Sequence, residues 1–143
     1  MGKTCRNIKE SETGECIFGY TCGNDITARD LQEKDGQWTR SKSFDTFLPL
    51  GPYIAKDLNP ADLAVSMRLN GEIKQSSSTR NLIFGVKKLV SFISGIMTLY
   101  PGDVIMTGTP SGIGPVVAGD RIEVEIEGIG VLANGVRSYL GRF

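Results

Sequence analysis

The chain reads as an α+β domain, mainly β, with one substantial helix. Three observations carry that reading. Glycine is in excess, 18 in 143 residues, against an average usage near 7%. Several short stretches alternate apolar and polar residues, and a single segment has helical periodicity. Short strands joined by frequent turns account for the glycine.

The first sixteen residues are polar, and residues 11–15 support no more than a short helical turn. Residues 17–26 read as a strand weakened by Gly19 and Gly23. Thr27-Ala28-Arg29-Asp30 sets a hydroxyl three residues before a carboxylate, an approximate capping box. It predicts a short helix over 28–34, ended by Asp35-Gly36. Residues 42–55 hold Phe44, Phe47, Pro49, Gly51 and Pro52 without a sustained period, which predicts a structured loop leading into a short strand. Residues 63–69 alternate, with Leu63, Val65, Met67 and Leu69 on one face, and Asn70-Gly71 marks a hairpin. A two-residue loop sets Leu69 opposite Glu72 and Arg68 opposite Ile73, so the apolar faces disagree; a bulge or a longer loop is required. The helix spans residues 84–97, from Phe84 to Met97. At 100° per residue Val86, Leu89, Val90, Ile93, Ile96 and Met97 form one stripe, opposite Lys87, Lys88, Ser91 and Gly95. Pro101-Gly102 makes a turn, 103–107 reads as a strand, and 108–115 is a rigid Gly/Pro loop. Residues 121–127 and 130–138 read as strands. No repeat or linker divides the chain, so 1–143 is taken as a single domain.

Composition excludes several functions. With 16 basic and 16 acidic residues the net charge is zero, which argues against nucleic-acid or anionic-lipid partners. No apolar run approaches the roughly 20 residues of a membrane helix, and Met1-Gly2-Lys3-Thr4-Cys5-Arg6 is read as opening no signal-peptide core. Histidine is absent, so Ser-His-Asp and Cys-His pairs and imidazole zinc sites are excluded. Any catalysis rests on carboxylates, lysine, hydroxyls, thiols, backbone groups or a bound metal. Cys5, Cys16 and Cys22 fit no metal-ribbon spacing and are read first as small buried thiols of a cytoplasmic protein, with a disulfide or a reactive thiol as the alternatives.

Four places are candidates for chemistry. Glu123, Glu125 and Glu127 share one strand face, as metal ligands do, but that is also the pattern of a solvated face behind Val124 and Ile126. The 108–114 loop resembles a phosphate cradle only loosely, because it lacks the P-loop lysine; a rigid connection lining a pocket fits it better. In Asn24-Asp25-Ile26-Thr27-Ala28-Arg29-Asp30, Asp30 has a capping role and Arg29 a choice of neighbouring carboxylates. Asp25 has no such structural duty, and must be solvated, paired or bound to a cation. Lys42 lies among Trp38, Arg40 and Phe44. Its stem packs on an aromatic ring, or its ammonium polarises a substrate carbonyl beside a metal.

Gly19-Tyr20-Thr21-Cys22-Gly23-Asn24-Asp25-Ile26-Thr27-Ala28-Arg29-Asp30-Leu31-Gln32 resembles a signature of the fumarylacetoacetate hydrolase (FAH) family. So do Gln37-Trp38-Thr39-Arg40-Ser41-Lys42-Ser43-Phe44-Asp45-Thr46-Phe47, Leu50-Gly51-Pro52 and Asn70-Gly71-Glu72. The same holds for Leu82-Ile83-Phe84, Pro101-Gly102-Asp103-Val104-Ile105, Thr107-Gly108-Thr109-Pro110 and Glu127-Gly128-Ile129-Gly130. The resemblance extends over residues 2–136, and within the family is nearest to 2-hydroxyhepta-2,4-diene-1,7-dioate isomerase-type members, with acylpyruvate hydrolases next.

The resemblance implies a mixed β-roll, a homodimer, and a divalent metal, Mg2+ or Mn2+, with Ca2+ able to replace it in a crystal. It implies 2-oxo or 1,3-diketo acid substrates, converted by C–C hydrolysis, decarboxylation or enol–keto isomerisation through a metal-stabilised enolate. Asp25 would be a metal ligand and Lys42 the catalytic cation. Gln32, Gly108 and Thr109 would hold substrate oxygens, with Arg29 and Asp30 bracing the site. The family's Glu-x-Glu metal pair belongs before Met1 and is not in the chain, so the domain is expected to be truncated. Two expectations follow: a portion of a metal-dependent hydrolase or isomerase, or a non-catalytic remnant or assembly subunit of the same fold.

Overall fold

The computed structural model describes residues 1–138. Its alternating segments form two antiparallel sheets. β1 (Tyr20–Gly23) pairs with β2 (Leu50–Ala55), and a four-stranded sheet has the order β4-β3-β5-β6. In that sheet β3 is Ala64–Leu69, β4 is Glu72–Ser78, β5 is Arg121–Ile126 and β6 is Gly130–Gly135. The helices are α1 (Thr13–Cys16), α2 (Arg29–Asp35), α3 (Thr39–Lys42) and α4 (Val86–Ile96), with single 3-10 turns at Glu10–Glu12 and Thr79–Asn81. No helix among the described residues is long and apolar enough to cross a membrane.

The β3–β4 hairpin resolves the disagreement of its apolar faces with a bulge. Asn70 and Gly71 both have positive φ, 53° and 84°, the signature of a type I′ turn. Leu69 pairs with Glu72 and Arg68 with Ile73, but Met67 then pairs with Gln75, leaving Lys74 as the extra residue. One inserted residue reverses which side of β4 faces inward. Ile73 is accordingly exposed, whereas Gln75 is buried.

Two apolar clusters hold the molecule. Cys22, Ala55, Val124, Ile129 and Leu132 join the two sheets, with Tyr20, Leu58, Met67 and Ile126 packed around them. Val90 of α4, with Cys5, Cys16 and Leu99, forms the second cluster. Met1 contributes its side chain there, and its amino group donates to the Asp103 carbonyl at 2.6 Å.

Several elements differ from their sequence-based extents. The strand expected over 17–26 is reduced to β1, because past Gly23 the backbone makes only isolated bonds to residues 41–49. The helix expected over 84–97 is α4, Val86–Ile96, starting at Gly85 as its N-cap. Its inward stripe is also rotated. Ser94 is fully buried, its hydroxyl accepting from the Ile8 amide and donating to the Ser91 carbonyl, whereas Ile96 and Met97 are more than half exposed. The strand expected over 103–107 does not form: residues 104–107 make no ladder hydrogen bonds with the described residues, and Val104 and Met106 remain exposed. The capping box also fails: Ala28 is the α2 N-cap, without a side-chain bond, and the Thr27 hydroxyl donates to the Asp25 carbonyl at 3.3 Å. α3 precedes the loop that was expected to begin at Lys42.

Candidate functional site

The site strip follows from backbone alternation. The amides of Asn24, Ile26 and Ala28 donate to the carbonyls of Pro49, Phe47 and Ser41 at 3.2, 3.0 and 2.9 Å. The intervening residues, Asp25 and Thr27, therefore share a face. Lys42, the last residue of α3, reaches both: its Nζ donates to Asp25 Oδ2 at 2.5 Å and to Thr27 Oγ1 at 3.2 Å. The same Nζ lies 5.8 Å from the centroid of the Trp38 ring. The ammonium is thus shared between the Asp25 carboxylate and the face of the Trp38 ring. The Asp25 side chain keeps 44% of its exposure and Lys42 27%, so a small ligand can reach the pair.

Local polar contacts fix the helices that carry these groups. Gly36, left-handed at φ 68°, ends α2, as glycine does at helix C-termini. Arg40 of α3 grips Asp35 through two bonds, 2.7 and 2.5 Å, and its guanidinium holds the Asp35 carboxyl below the usual aspartate range. Ser41, fully buried, donates to the Trp38 carbonyl at 2.7 Å.

The other predicted residues fall into separate groups. Arg29 donates to Gln32 Oε1 at 2.8 Å, which places its guanidinium against the expected substrate amide. Asp30 is exposed and faces Arg40 only through its field. Thr109 accepts from Gln75 Nε2 at 2.9 Å, and Gly108 next to it has φ 129°. No side-chain hydrogen bond among the described residues links Thr109 to the Asp25–Lys42 pair. The two segments do converge upstream: a Cβ on Gly23 would lie 3.2 Å from Met106 Sδ, so the end of β1 abuts 104–107. A groove of about 540 Å3 opens beside this junction, lined by Phe18, Leu63, Leu89, Val104, Met106 and Ile129 among others, but not by Asp25, Lys42 or Thr109.

Glu123, Glu125 and Glu127 behave as a solvated face. Glu125 pairs with Arg68 at 2.6 Å and Glu123 with Arg121 at 3.0 Å, while Val124 is buried behind them. The three thiols are free and buried; burial pushes Cys5 and Cys22 upward in pKa, away from the thiolate that nucleophilic chemistry needs. Sequence reasoning missed Thr27 as a partner of Lys42, and it missed Gln75 altogether. The mismatched hairpin register was the one sequence signal pointing to Gln75.

Asp25 offers a metal one open carboxylate. Among the described residues no group of three His, Cys, Asp or Glu side chains is placed to hold an ion. A single carboxylate already paired with an ammonium is an incomplete donor set for Mg2+ or Mn2+.

Residues 1–137 match the family model for the fumarylacetoacetate (FAA) hydrolase C-terminal domain. The chain belongs to that family. A mycobacterial structure, 2-hydroxyhepta-2,4-diene-1,7-dioate isomerase from Mycobacterium marinum, superposes with a TM-score of 0.94 at 48% identity, over 96% of this chain and 54% of that one. Maleylpyruvate hydrolase from Sphingobium sp. SYK-6, solved with manganese(II) and pyruvate, gives 0.87 at 38% identity, over 96% and 50%. The mitochondrial oxaloacetate tautomerase Fahd2a of Rattus norvegicus is 43% identical over 147 residues, 95% of this chain and 47% of that protein. The chain thus spans about half the length of the relatives it matches. The α+β fold expected from sequence is the family's fold, and family members act as isomerases and hydrolases.

Proposed function

We propose that this chain forms the Asp25–Lys42 portion of a divalent-metal-dependent hydrolase or isomerase acting on 2-oxo or 1,3-diketo acids through an enolate. The observation that supports this most is the partly exposed Lys42 ammonium held on Asp25 and Thr27 in a chain of this family. The relatives' printed activities support the substrate class, since oxaloacetate and maleylpyruvate are both 2-oxo acids. Lys42 supplies a fixed positive charge at the site, which stabilises negative charge developing on an enolate oxygen. Gln32, oriented by Arg29, has amide protons to offer a second substrate oxygen, and Thr109 with Gly108 completes the substrate contacts. Asp25 would be one ligand of a Mg2+ or Mn2+ ion completed by donors beyond the described residues, and such an ion would supply Lewis-acid stabilisation of the same charge. The active form is proposed to be a homodimer in the cytoplasm.

Enolisation of oxaloacetate, followed by its ultraviolet absorbance with and without Mn2+, tests this. Lys42→Met lowers the protein-dependent rate roughly a hundredfold while leaving the fold intact. An unchanged rate in Lys42→Met refutes the role of the ammonium. The incomplete donor set favours a second reading, a non-catalytic assembly subunit. Calorimetric titration with Mn2+ tests the second reading: one tight site on the chain alone excludes it, whereas absence of turnover with and without Mn2+ favours it.

A further inference from the structure

Gln75 is a buried polar side chain that the site described above leaves unused. It is 8% exposed and lies on β4 directly opposite Met67, whose side chain packs on the core. It faces inward only because Lys74 is the extra residue of the bulge; in a regular ladder from Leu69–Glu72, Gln75 would pair with Ser66 and face the other side. From this position Nε2 donates twice, to the Pro110 carbonyl at 2.7 Å and to Thr109 Oγ1 at 2.9 Å.

Those two bonds determine a polarity. The Pro110 carbonyl can only accept, so the end of the Gln75 side chain that faces it must be the NH2 group. Its second proton then goes to Thr109, whose hydroxyl accepts it and keeps its own proton for an outside acceptor. The loop is clamped again three residues on. Gly112 has φ 102°, and a Cβ there would run into the Lys74 carbonyl oxygen. The bulge thus meets the Gly/Pro loop twice, through the Lys74 backbone and through the Gln75 side chain.

We infer that Gln75 is a positioning residue: it fixes Thr109 as a hydrogen-bond donor aimed at an anionic oxygen, such as the carboxylate of an oxo acid. The ligand part rests on the proposed function; the loop clamp does not.

The test uses oxalate, a rigid dicarboxylate, as probe in the presence of Mn2+, with binding measured by calorimetry. Thr109→Val weakens binding roughly tenfold, as loss of one hydrogen bond to a charged group does, and Thr109→Ser restores it. Gln75→Met, of similar shape, causes a comparable loss. In the double variant Gln75→Met adds nothing further, because the hydroxyl it orients is already gone. A purely structural Gln75 would weaken binding equally with and without that hydroxyl, and additive losses therefore overturn the inference. Hydrogen exchange supplies a readout independent of any ligand. Gln75→Met speeds amide exchange over 107–114 and leaves Arg121–Ile126 unchanged; an unaltered loop refutes the clamp. If the unsubstituted chain binds no oxalate, the proposed function fails for this chain, and the exchange result alone decides whether Gln75 holds the loop.

Discussion

The four-stranded sheet and the strip that carries Asp25 and Lys42 are held in different ways. The sheet has continuous backbone ladders on both sides of β5, and its inner face closes on Ile129 and Cys22, each at most 1% exposed. The strip has three isolated backbone bonds, α2 buries no residue, and α3 buries only Ser41. Its geometry comes from short polar contacts: Arg40 on Asp35, Arg29 on Gln32, Lys42 on Asp25 and Thr27. Asp25 and Lys42 thus sit on a lightly packed segment against a rigid scaffold. Local opening is least costly where few apolar contacts must break.

This contrast can be broken from either side. Ile129→Ala removes a side chain from the shared core and costs about 2–5 kcal/mol. Urea unfolding should register that loss, with faster exchange in both regions. Ser41→Ala deletes the buried bond to the Trp38 carbonyl and costs about 1 kcal/mol. Its exchange signature should be confined to residues 24–49; equal acceleration in β5 would show that strip and sheet open as one unit.

The smallest effect concerns the sheet's rim. Asp120 accepts from the Val117 amide and from Asn70 Nδ2, each at 2.8 Å. The Val117 bond, then the Asn70 bond, hold its carboxyl below the usual aspartate range. A carboxyl depressed in the folded state stabilises fully above its unfolded pKa, about 3.9, and that contribution is lost as pH falls through the folded value. The stability difference between wild type and Asp120→Asn should therefore shrink as pH is lowered below about 4. A difference that holds constant into acid would remove the carboxylate's charge from the account.

Much of the sheet was legible because its signals are local. Alternation located β3 and β5, Asn70-Gly71 located the hairpin, and Gly36 the end of α2 within one residue of expectation. Asp25 stood out because a charge at the end of an apolar strand needs a partner, and Lys42 proved to be that partner. Thr27 was misassigned because a hydroxyl three residues before an acid fits a cap on paper. In the fold its neighbour across the strip is an ammonium instead. Residues 103–107 carry a short apolar run, Val104-Ile105-Met106, that reads as a strand, yet they form none. An apolar run reports which residues can be buried; a ladder also requires a second strand in register, which is set by segments far away in sequence.

By itself, then, the amino-acid order determined the turn-rich α+β class and the principal helix, and it singled out Asp25 and Lys42 as candidates in a sequence without histidine. It also showed that the β3–β4 hairpin could not be regular. Only the tertiary structure decided that a bulge at Lys74 corrects the register, that Gln75 turns inward, and that Thr109 is gripped from below. The physical reason is range. Period, turn chemistry and capping act over a few residues, whereas Gln75 and Thr109 are separated by 34 positions, and only packing brings them within hydrogen-bond distance.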